Sequence, residues 1–160
     1  MRKLSKRIAL AACMVFSVLA LTACSGSGGS KKEIDVAKTA DELNSSVITT
    51  DQLTETKSEM LGSIYFFEDG QVEISKVYMS GNATADEIVV VSCKDEEAAK
   101  EVENLLKMRV KNQKELFSTY KPDEAAKLDK AIVKSSGKYA VLCVCDDYDK
   151  AESILKEAGF

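Results

Sequence analysis

Hydrophobic and polar positions follow two periods along this chain, one typical of helices and one typical of strands. The clearest pattern spans 96–119, where apolar residues recur about every 3.6 positions and predict an amphipathic helix roughly 36 Å long. Asp95 precedes this helix and is a suitable N-cap. The positions predicted to face the core are Ala99, Val102, Leu106, Val110, Gln113, Leu116, Phe117 and Tyr120.

Shorter apolar segments predict strands on either side of this helix. Residues 72–80 and 87–93 form two of them, and Ile88–Val91 is apolar on both faces, which indicates a central strand. Residues 131–134 and 138–145 are predicted to form a hairpin across a Ser-Ser-Gly turn. The pattern therefore favours a mostly antiparallel four-stranded sheet.

Four further helices are predicted from their ends and apolar spacing. Thr39 opens a capping box for a helix reaching residue 47, and Pro122 begins one reaching residue 130. The other two span 56–66 and the residues after Asp147, up to Gly159. Together these elements predict an α+β fold with a ββαββα-like order, two short helices preceding it, and helices on one face of the sheet. We expect a single domain over residues 39–160.

Two segments of the chain resemble each other at a constant offset of 52 residues. Residues 91–95 and 143–147 each contain a strand end, a cysteine and an acidic helix cap, followed by an amphipathic helix. One reading is a ββα unit used twice, which would place both helices on the same face. The other is convergence, because the same residue types commonly connect a strand to a helix.

The N-terminus has the pattern of a bacterial lipoprotein leader. Residues 1–7 carry four basic residues and no acid, and 8–23 is almost wholly apolar. Leu21-Thr22-Ala23-Cys24 forms a lipobox, in which Cys24 receives diacylglycerol on its sulfur and cleavage falls between Ala23 and Cys24. Sixteen helical residues reach roughly 24 Å, short of the ~30 Å hydrocarbon core, which disfavours the alternative of a single transmembrane anchor.

Lipidation at Cys24 predicts the compartment of the mature protein. Two acyl chains, such as palmitate, hold a protein stably on a membrane, and a third usually follows. Residues 24–38 form a Ser/Gly-rich and polar linker with a reach of roughly 20 Å. We therefore expect a domain tethered to the extracytoplasmic face of the cell membrane.

Charge and composition exclude several classes of function. Loss of the four basic leader residues leaves 18 Lys and Arg against 26 Asp and Glu, a formal net charge of −8. Such a domain is poorly suited to binding nucleic acid or to lying flat on anionic lipid. The chain has no His, which removes the usual nucleophile–base pairs and His-metal sites. We expect a protein that is not an enzyme and needs no cofactor or metal beyond the covalent diacylglycerol.

The remaining cysteines offer the sharpest chemical hypothesis. After processing, the folded domain keeps Cys93, Cys143 and Cys145, an odd number that does not suggest a disulfide framework. One reading is three buried, inert thiols. The others are a disulfide from Cys93 to one of the pair, or a three-thiolate redox or metal site, if the two central strands are neighbours.

Three further groups of residues have both a structural and a functional reading. Asp146, Asp147 and Asp149 complement a helix N-terminus or bind calcium. Three lysines of the long helix are a solvated stripe paired with Glu103 and Glu115, or contact an anionic wall polymer. Tyr65-Phe66-Phe67 packs into the core with one ring exposed, which would anchor a partner or ligand. The three lysines are Lys107, Lys111 and Lys114.

Short motifs from about residue 39 onward resemble a bacterial lipoprotein family that carries domain of unknown function 4358. They are Ala85-Asp86-Glu87-Ile88, Lys94-Asp95, Tyr120-Lys121-Pro122 and Gly137-Lys138-Tyr139. The family is common in Gram-positive anaerobes and has no assigned activity. The resemblance therefore implies an envelope lipoprotein and transfers no catalytic residue, and it does not cover the Cys143-x-Cys145 pair.

These observations predict a non-enzymatic, membrane-tethered lipoprotein that binds an envelope protein or a small ligand. The alternative is a thiol redox or metal-binding module that uses Cys93, Cys143 and Cys145. A third hypothesis is an accessory lipoprotein of an ABC transporter, although the domain is too small to be a two-lobed solute receptor.

Overall fold

The computed structural model describes residues 33–160 as one α+β unit built on an antiparallel sheet. The predicted leader, the predicted lipidation site Cys24 and the first part of the predicted linker lie outside the described residues. The strands are β1 (Leu53–Glu55), β2 (Val72–Ser80), β3 (Glu87–Cys93), β4 (Ile132–Ser136) and β5 (Tyr139–Val144). The helices are α1 (Val36–Ser46), α2 (Leu61–Tyr65), α3 (Glu96–Tyr120), α4 (Pro122–Leu128) and α5 (Tyr148–Ala158).

The sheet has five strands in the order β1-β2-β3-β5-β4, with every neighbouring pair antiparallel. The α+β class and the antiparallel pairing are confirmed, whereas the predicted count of four strands is wrong. The extra strand, β1, has only three residues, of which two are exposed. A segment so short and polar carries no alternation from which a strand is predicted.

Helices cover both faces of the sheet, which corrects the prediction that they lie on one. α2, α3 and α4 enclose a core with Val89, Val91 and Leu142. α1 and α5 enclose a second core on the other face, with Val90 and Val141. β3 and β5 are completely buried because a helical layer covers each of their faces.

The two ββα segments are not copies related by a rotation. Their hairpins lie on either side of the β3–β5 boundary, and those two strands are antiparallel. Only a half-turn about the sheet normal would superpose the hairpins, and it would place both helices on one face. Because α3 and α5 lie on opposite faces, the observed arrangement favours convergence.

Helix ends follow the sequence at three of the predicted caps and differ at one. Asp95 and Asp147 cap α3 and α5 as predicted, and Pro122 is the first residue of α4. The first helix begins earlier than predicted, because Asp35 accepts a hydrogen bond from Lys38 N at 3.0 Å. The predicted helix over 56–66 is a 3-10 turn at Ser58–Met60 followed by α2.

The segment before α1 belongs to the packed domain rather than to the linker. Ile34 and Val36 are each only 4% exposed and pack in the core of the α1 and α5 face. No helix within residues 33–160 has the length and apolar character needed to cross a membrane.

Candidate functional site

The structure brings two of the three candidate thiols together. Cys143 and Cys145 project from the end of β5 to the same face, with their sulfurs 3.9 Å apart. The hydrogen bond from Cys143 raises the pKa of that thiol and lowers the pKa of Cys145, and burial adds to the rise at Cys143. Both thiols are free and completely buried.

Cys93 lies away from this pair, so the three sulfurs do not converge. β3 and β5 are neighbours as expected, but Cys93 faces the α3 side of the sheet. Cys143 is opposite Ile88, five residues along β3 from Cys93, a separation of about 17 Å. A bridge from Cys93 to the pair, or a three-thiolate site, is therefore incompatible with this arrangement. Burial raises the pKa of Cys93 to about 11, with a contribution from Asp95.

The three aspartates at the start of α5 have different roles. Asp146 bonds Thr50 and Lys127, Asp147 caps the helix, and Asp149 lies in its first turn. Among residues 33–160, no three His, Cys, Asp or Glu side chains are grouped closely enough to hold a metal ion. The three aspartates therefore do not form an assembled calcium site in the described part of the chain.

A buried lysine of α4 joins three connecting segments at the end of the sheet where β3 begins. Lys127 Nζ lies 2.8 Å from Asp86, 2.7 Å from Thr50, 3.2 Å from Asp146 and 3.6 Å from Glu124. The side chains of Lys127 and Asp86 are 7% and 0% exposed. Burial by itself lowers the pKa of Lys127, but the bonds and charges of Asp86 and Asp146 outweigh it and raise the pKa.

The carboxylates around Lys127 also hold backbone groups. Asp86 accepts from Thr50 N at 3.1 Å, and Glu124 accepts from Ala85 N at 2.7 Å. A groove of about 320 Å³ adjoins the cluster. Because the ammonium is surrounded by acceptors within the protein, the cluster acts as a clamp between α4, β3 and the residue-50 loop.

Glu87, the next residue, forms a second buried network on the α3 side of the sheet. It accepts a hydrogen bond from the Tyr65 hydroxyl, and Arg109 Nη2 lies 3.3 Å away. Burial raises the pKa of Tyr65 well above its ordinary value, and the charge of Glu87 contributes. Tyr65 is buried and stacks on half-buried Phe67, whereas Phe66 is 66% exposed. One exposed ring in this triplet is what the sequence predicted.

The lysine stripe of α3 is paired with acids. Lys107 lies 2.6 Å from Glu103, and Lys111 lies 3.9 Å from Glu115, as predicted. Lys114 pairs instead with Asp129, outside the helix. This arrangement matches a solvated, charge-compensated helix face.

A groove crosses the sheet where the α1 layer ends. Three residues aligned across neighbouring strands form its floor. Ile74 of β2 is opposite Ser92 of β3, and Ser92 is opposite Tyr139 of β5. Ile34 and Val36, at the start of α1, form an apolar wall. The groove encloses about 420 Å³, within the range of small-molecule sites.

The rim of this groove carries both signs of charge. Glu33 and Asp35 contribute acids from the segment that leads into α1, and Lys138 contributes a base from the β4–β5 turn. Lys138 Nζ lies 3.1 Å from Glu73. That hydrogen bond raises the pKa of Lys138, and Glu33 adds to the rise, so Lys138 remains an ammonium at neutral pH. An apolar floor with charged groups at its edge suits an amphipathic ligand.

Ser92 is the polar group in the middle of the floor. It is 1% exposed, and within residues 33–160 its hydroxyl has no hydrogen-bond partner. Sequence reasoning missed it, although a serine that interrupts the run Ile88–Cys93 was a visible signal. A buried hydroxyl left unpaired costs about 1–3 kcal/mol, which a bound group would recover.

Comparison with known proteins places the chain in a family. A family model described as "Domain of unknown function (DUF4358)" matches residues 45–145, which contain all five strands of the sheet and helices α2, α3 and α4. No curated protein and no solved structure gave a significant match. The match covers more than half of the chain, and the chain therefore belongs to the DUF4358 family.

Proposed function

We propose that this protein is a lipid-anchored, extracytoplasmic binding module of the cell envelope. The proposed location rests on the lipobox ending at Cys24, with cleavage after Ala23 and diacylglycerol on the Cys24 sulfur. Among the described residues, packing against the core begins at Ile34, ten residues after that cysteine, so a short tether would keep the domain near the membrane.

The binding role is carried by one observation, the groove over Ile74, Ser92 and Tyr139. It combines an apolar floor, a buried hydroxyl without a partner and charged groups at the rim. A concave apolar site with a few convergent polar groups is the usual form of a ligand site.

Binding rather than catalysis also agrees with the chemistry of the chain. The sequence has no His, and the interior lysine and arginine are held in ion pairs with Asp86 and Glu87. Groups committed in this way are poor candidates for proton transfer to a substrate.

Replacement of the cysteine proposed to be lipidated tests the membrane location. Cys24→Ala should abolish incorporation of labelled palmitate and release the processed protein from membranes or leave the precursor uncut. Cys13→Ala, which changes a leader cysteine outside the lipobox, should be labelled and membrane-bound like the parent. Unchanged labelling and fractionation of Cys24→Ala would refute lipid anchoring.

The binding role is tested by mapping compounds on the protein. A fragment library should contain members that shift the amide signals of Ser92 and Tyr139 in the NMR spectrum of the full mature chain. Ile48, exposed on the same domain but outside the groove, serves as the internal control. If no compound perturbs the floor selectively, the groove is not a binding site.

The second candidate is a thiol function restricted to Cys143 and Cys145, favoured by their 3.9 Å contact. It ranks behind binding because both sulfurs are completely buried, which keeps them from reagents in solution. Titration of the unfolded, unreduced mature protein distinguishes the two. Three reactive thiols would exclude a disulfide, whereas one would show that a bridge had formed.

A further inference from the structure

The groove over Ile74, Ser92 and Tyr139 has features that limit the chemistry of its ligand. Its floor presents an aliphatic and an aromatic side chain on either side of the Ser92 hydroxyl. Ile34 and Val36 extend the apolar surface upward on one side. A ligand therefore needs an apolar body and a polar group that reaches the centre of the floor.

Ser92 supplies the strongest constraint. Its Oγ is enclosed and unpaired, while Ile74 beside it is 57% exposed. β2 has a bulge between Val72 and Ile74. Ile74 is the cross-strand neighbour of Ser92, and its exposed side chain can move with the loss of few buried contacts.

The rim then determines which charges the ligand carries. Glu33 and Asp35 offer carboxylates, and Lys138 offers an ammonium whose bond to Glu73 uses only one of its three donors. Within residues 33–160, Asp35 already accepts from Lys38 N while Glu33 accepts no such bond, so Glu33 is the freer acid of the two. A ligand with a single charge would satisfy only one side of this rim.

We propose that the groove binds a small zwitterion with an apolar side chain, of the class of an apolar α-amino acid. The ligand carboxylate accepts from Ser92 Oγ and pairs with Lys138. Its ammonium pairs with Glu33, and its side chain packs on Ile74 and Tyr139. This assignment rests on the proposed function, because it names the ligand class of the same groove.

Three related probes test the charge requirement. Leucine, 3-methylbutylamine and 4-methylpentanoate share one branched side chain, but the second lacks the carboxylate and the third lacks the ammonium. Binding is measured by titration calorimetry on the protein as the cell produces it, held in lipid nanodiscs, with empty nanodiscs as the blank. Leucine should bind at least about tenfold more tightly than either truncated probe, since each loses a charge-assisted hydrogen bond.

Two matched hydroxyl variants test the role of Ser92. Ser92→Ala should weaken leucine binding about tenfold, the effect of one hydrogen bond. Thr84→Ala removes the other buried hydroxyl that lacks a partner, at a position outside the groove, and should leave binding unchanged. Glu33→Gln should weaken leucine binding without weakening that of 4-methylpentanoate.

The outcomes separate the ligand class from the function. Equal affinity for leucine and a truncated probe, or full affinity in Ser92→Ala, would overturn the zwitterion assignment. If leucine does not bind while another compound shifts the amide signals of the floor residues in the NMR experiment, the proposed ligand class is wrong and the binding function stands. If no compound of either set perturbs the floor, both proposals fall.

Discussion

Lys127 Nζ lies 2.8 Å from Asp86 Oδ1, and the two side chains form an ion pair with almost no exposure to solvent. The pair joins α4 to the residue that precedes the central strand. Next to Asp86, Glu87 pairs with Arg109 on the α3 side of the sheet. Two consecutive carboxylates thus connect the start of β3 to two helices of one layer, α4 through Asp86 and α3 through Glu87.

Removal of one partner of the buried pair should destabilise the domain strongly. Lys127→Met leaves the charge of Asp86 buried and uncompensated, and we expect a loss of about 3–5 kcal/mol in the free energy of unfolding. Lys111→Met, in an exposed helix pair, should change it by less than about 0.5 kcal/mol. Urea unfolding measures both, and equal effects would show that the Lys127 pair is not a clamp.

Stability should fall in alkaline solution, with Cys93 contributing. Its pKa in the folded protein, about 11, lies above the ordinary value of 9.0, so the folded state retains the proton longer than the unfolded state. This contribution is complete below pH 9 and is lost as pH rises toward 11. The raised pKa values of Tyr65 and Lys127 act in the same direction above pH 10.

Cys93→Ala isolates the contribution of that thiol. Between pH 8 and pH 10, the parent should lose about 1 kcal/mol more of its unfolding free energy than the variant. Urea unfolding at both pH values, in the presence of reductant, measures the difference. Identical pH dependence of parent and variant would contradict the raised pKa.

The unpaired hydroxyl of Ser92 predicts an unusual response to truncation. Ser92→Ala should leave stability unchanged or raise it by about 1 kcal/mol, because no hydrogen bond is lost and a buried polar group is removed. Ser80→Ala is the matched control, since the Ser80 hydroxyl donates to Asp51 at 2.7 Å. It should lose about 1 kcal/mol. A larger loss at Ser92 than at Ser80 would mean that the Ser92 hydroxyl has a partner.

Phe66 has a backbone conformation that its side chain disfavours. Its φ is +62°, in the left-handed region, while its ring is 66% exposed. Phe66→Gly should therefore raise the unfolding free energy by about 0.5–1 kcal/mol. Leu116→Gly, at an exposed position inside α3, should lower it by about 1 kcal/mol. Thermal unfolding compares the two, and a loss of stability at Phe66 would show that its ring makes contacts that outweigh the strain.

The elements with strong local signals were predictable from the sequence. α3 begins at Glu96 after its Asp95 cap and ends at Tyr120, one residue from the predicted end. β2 and β3 have the predicted bounds. Caps, long periodic patterns and apolar strands depend on neighbours in sequence, which is why they could be predicted.

The candidate site was much less predictable, because its residues come from separate parts of the chain. Ser92, Ile74 and Tyr139 meet only through strand register. Lys127 and Asp86 are 41 positions apart and gave no joint signal. Burial of all three cysteines agrees with one of the readings left open from the sequence, but the strand faces that separate Cys93 from Cys143 follow from the pairing of β3 with β5.

The amino-acid sequence alone determined where most helices and strands lie and the antiparallel α+β class, and it predicts a lipobox at Cys24, since each depends on short-range spacing and residue type. Within residues 33–160, tertiary structure decided that helices cover both sheet faces, that two of the three thiols meet, and that the Ser92 hydroxyl lies unpaired in a groove. These features arise from side chains that are distant in sequence and share one face of a sheet, and local chemistry does not encode that juxtaposition.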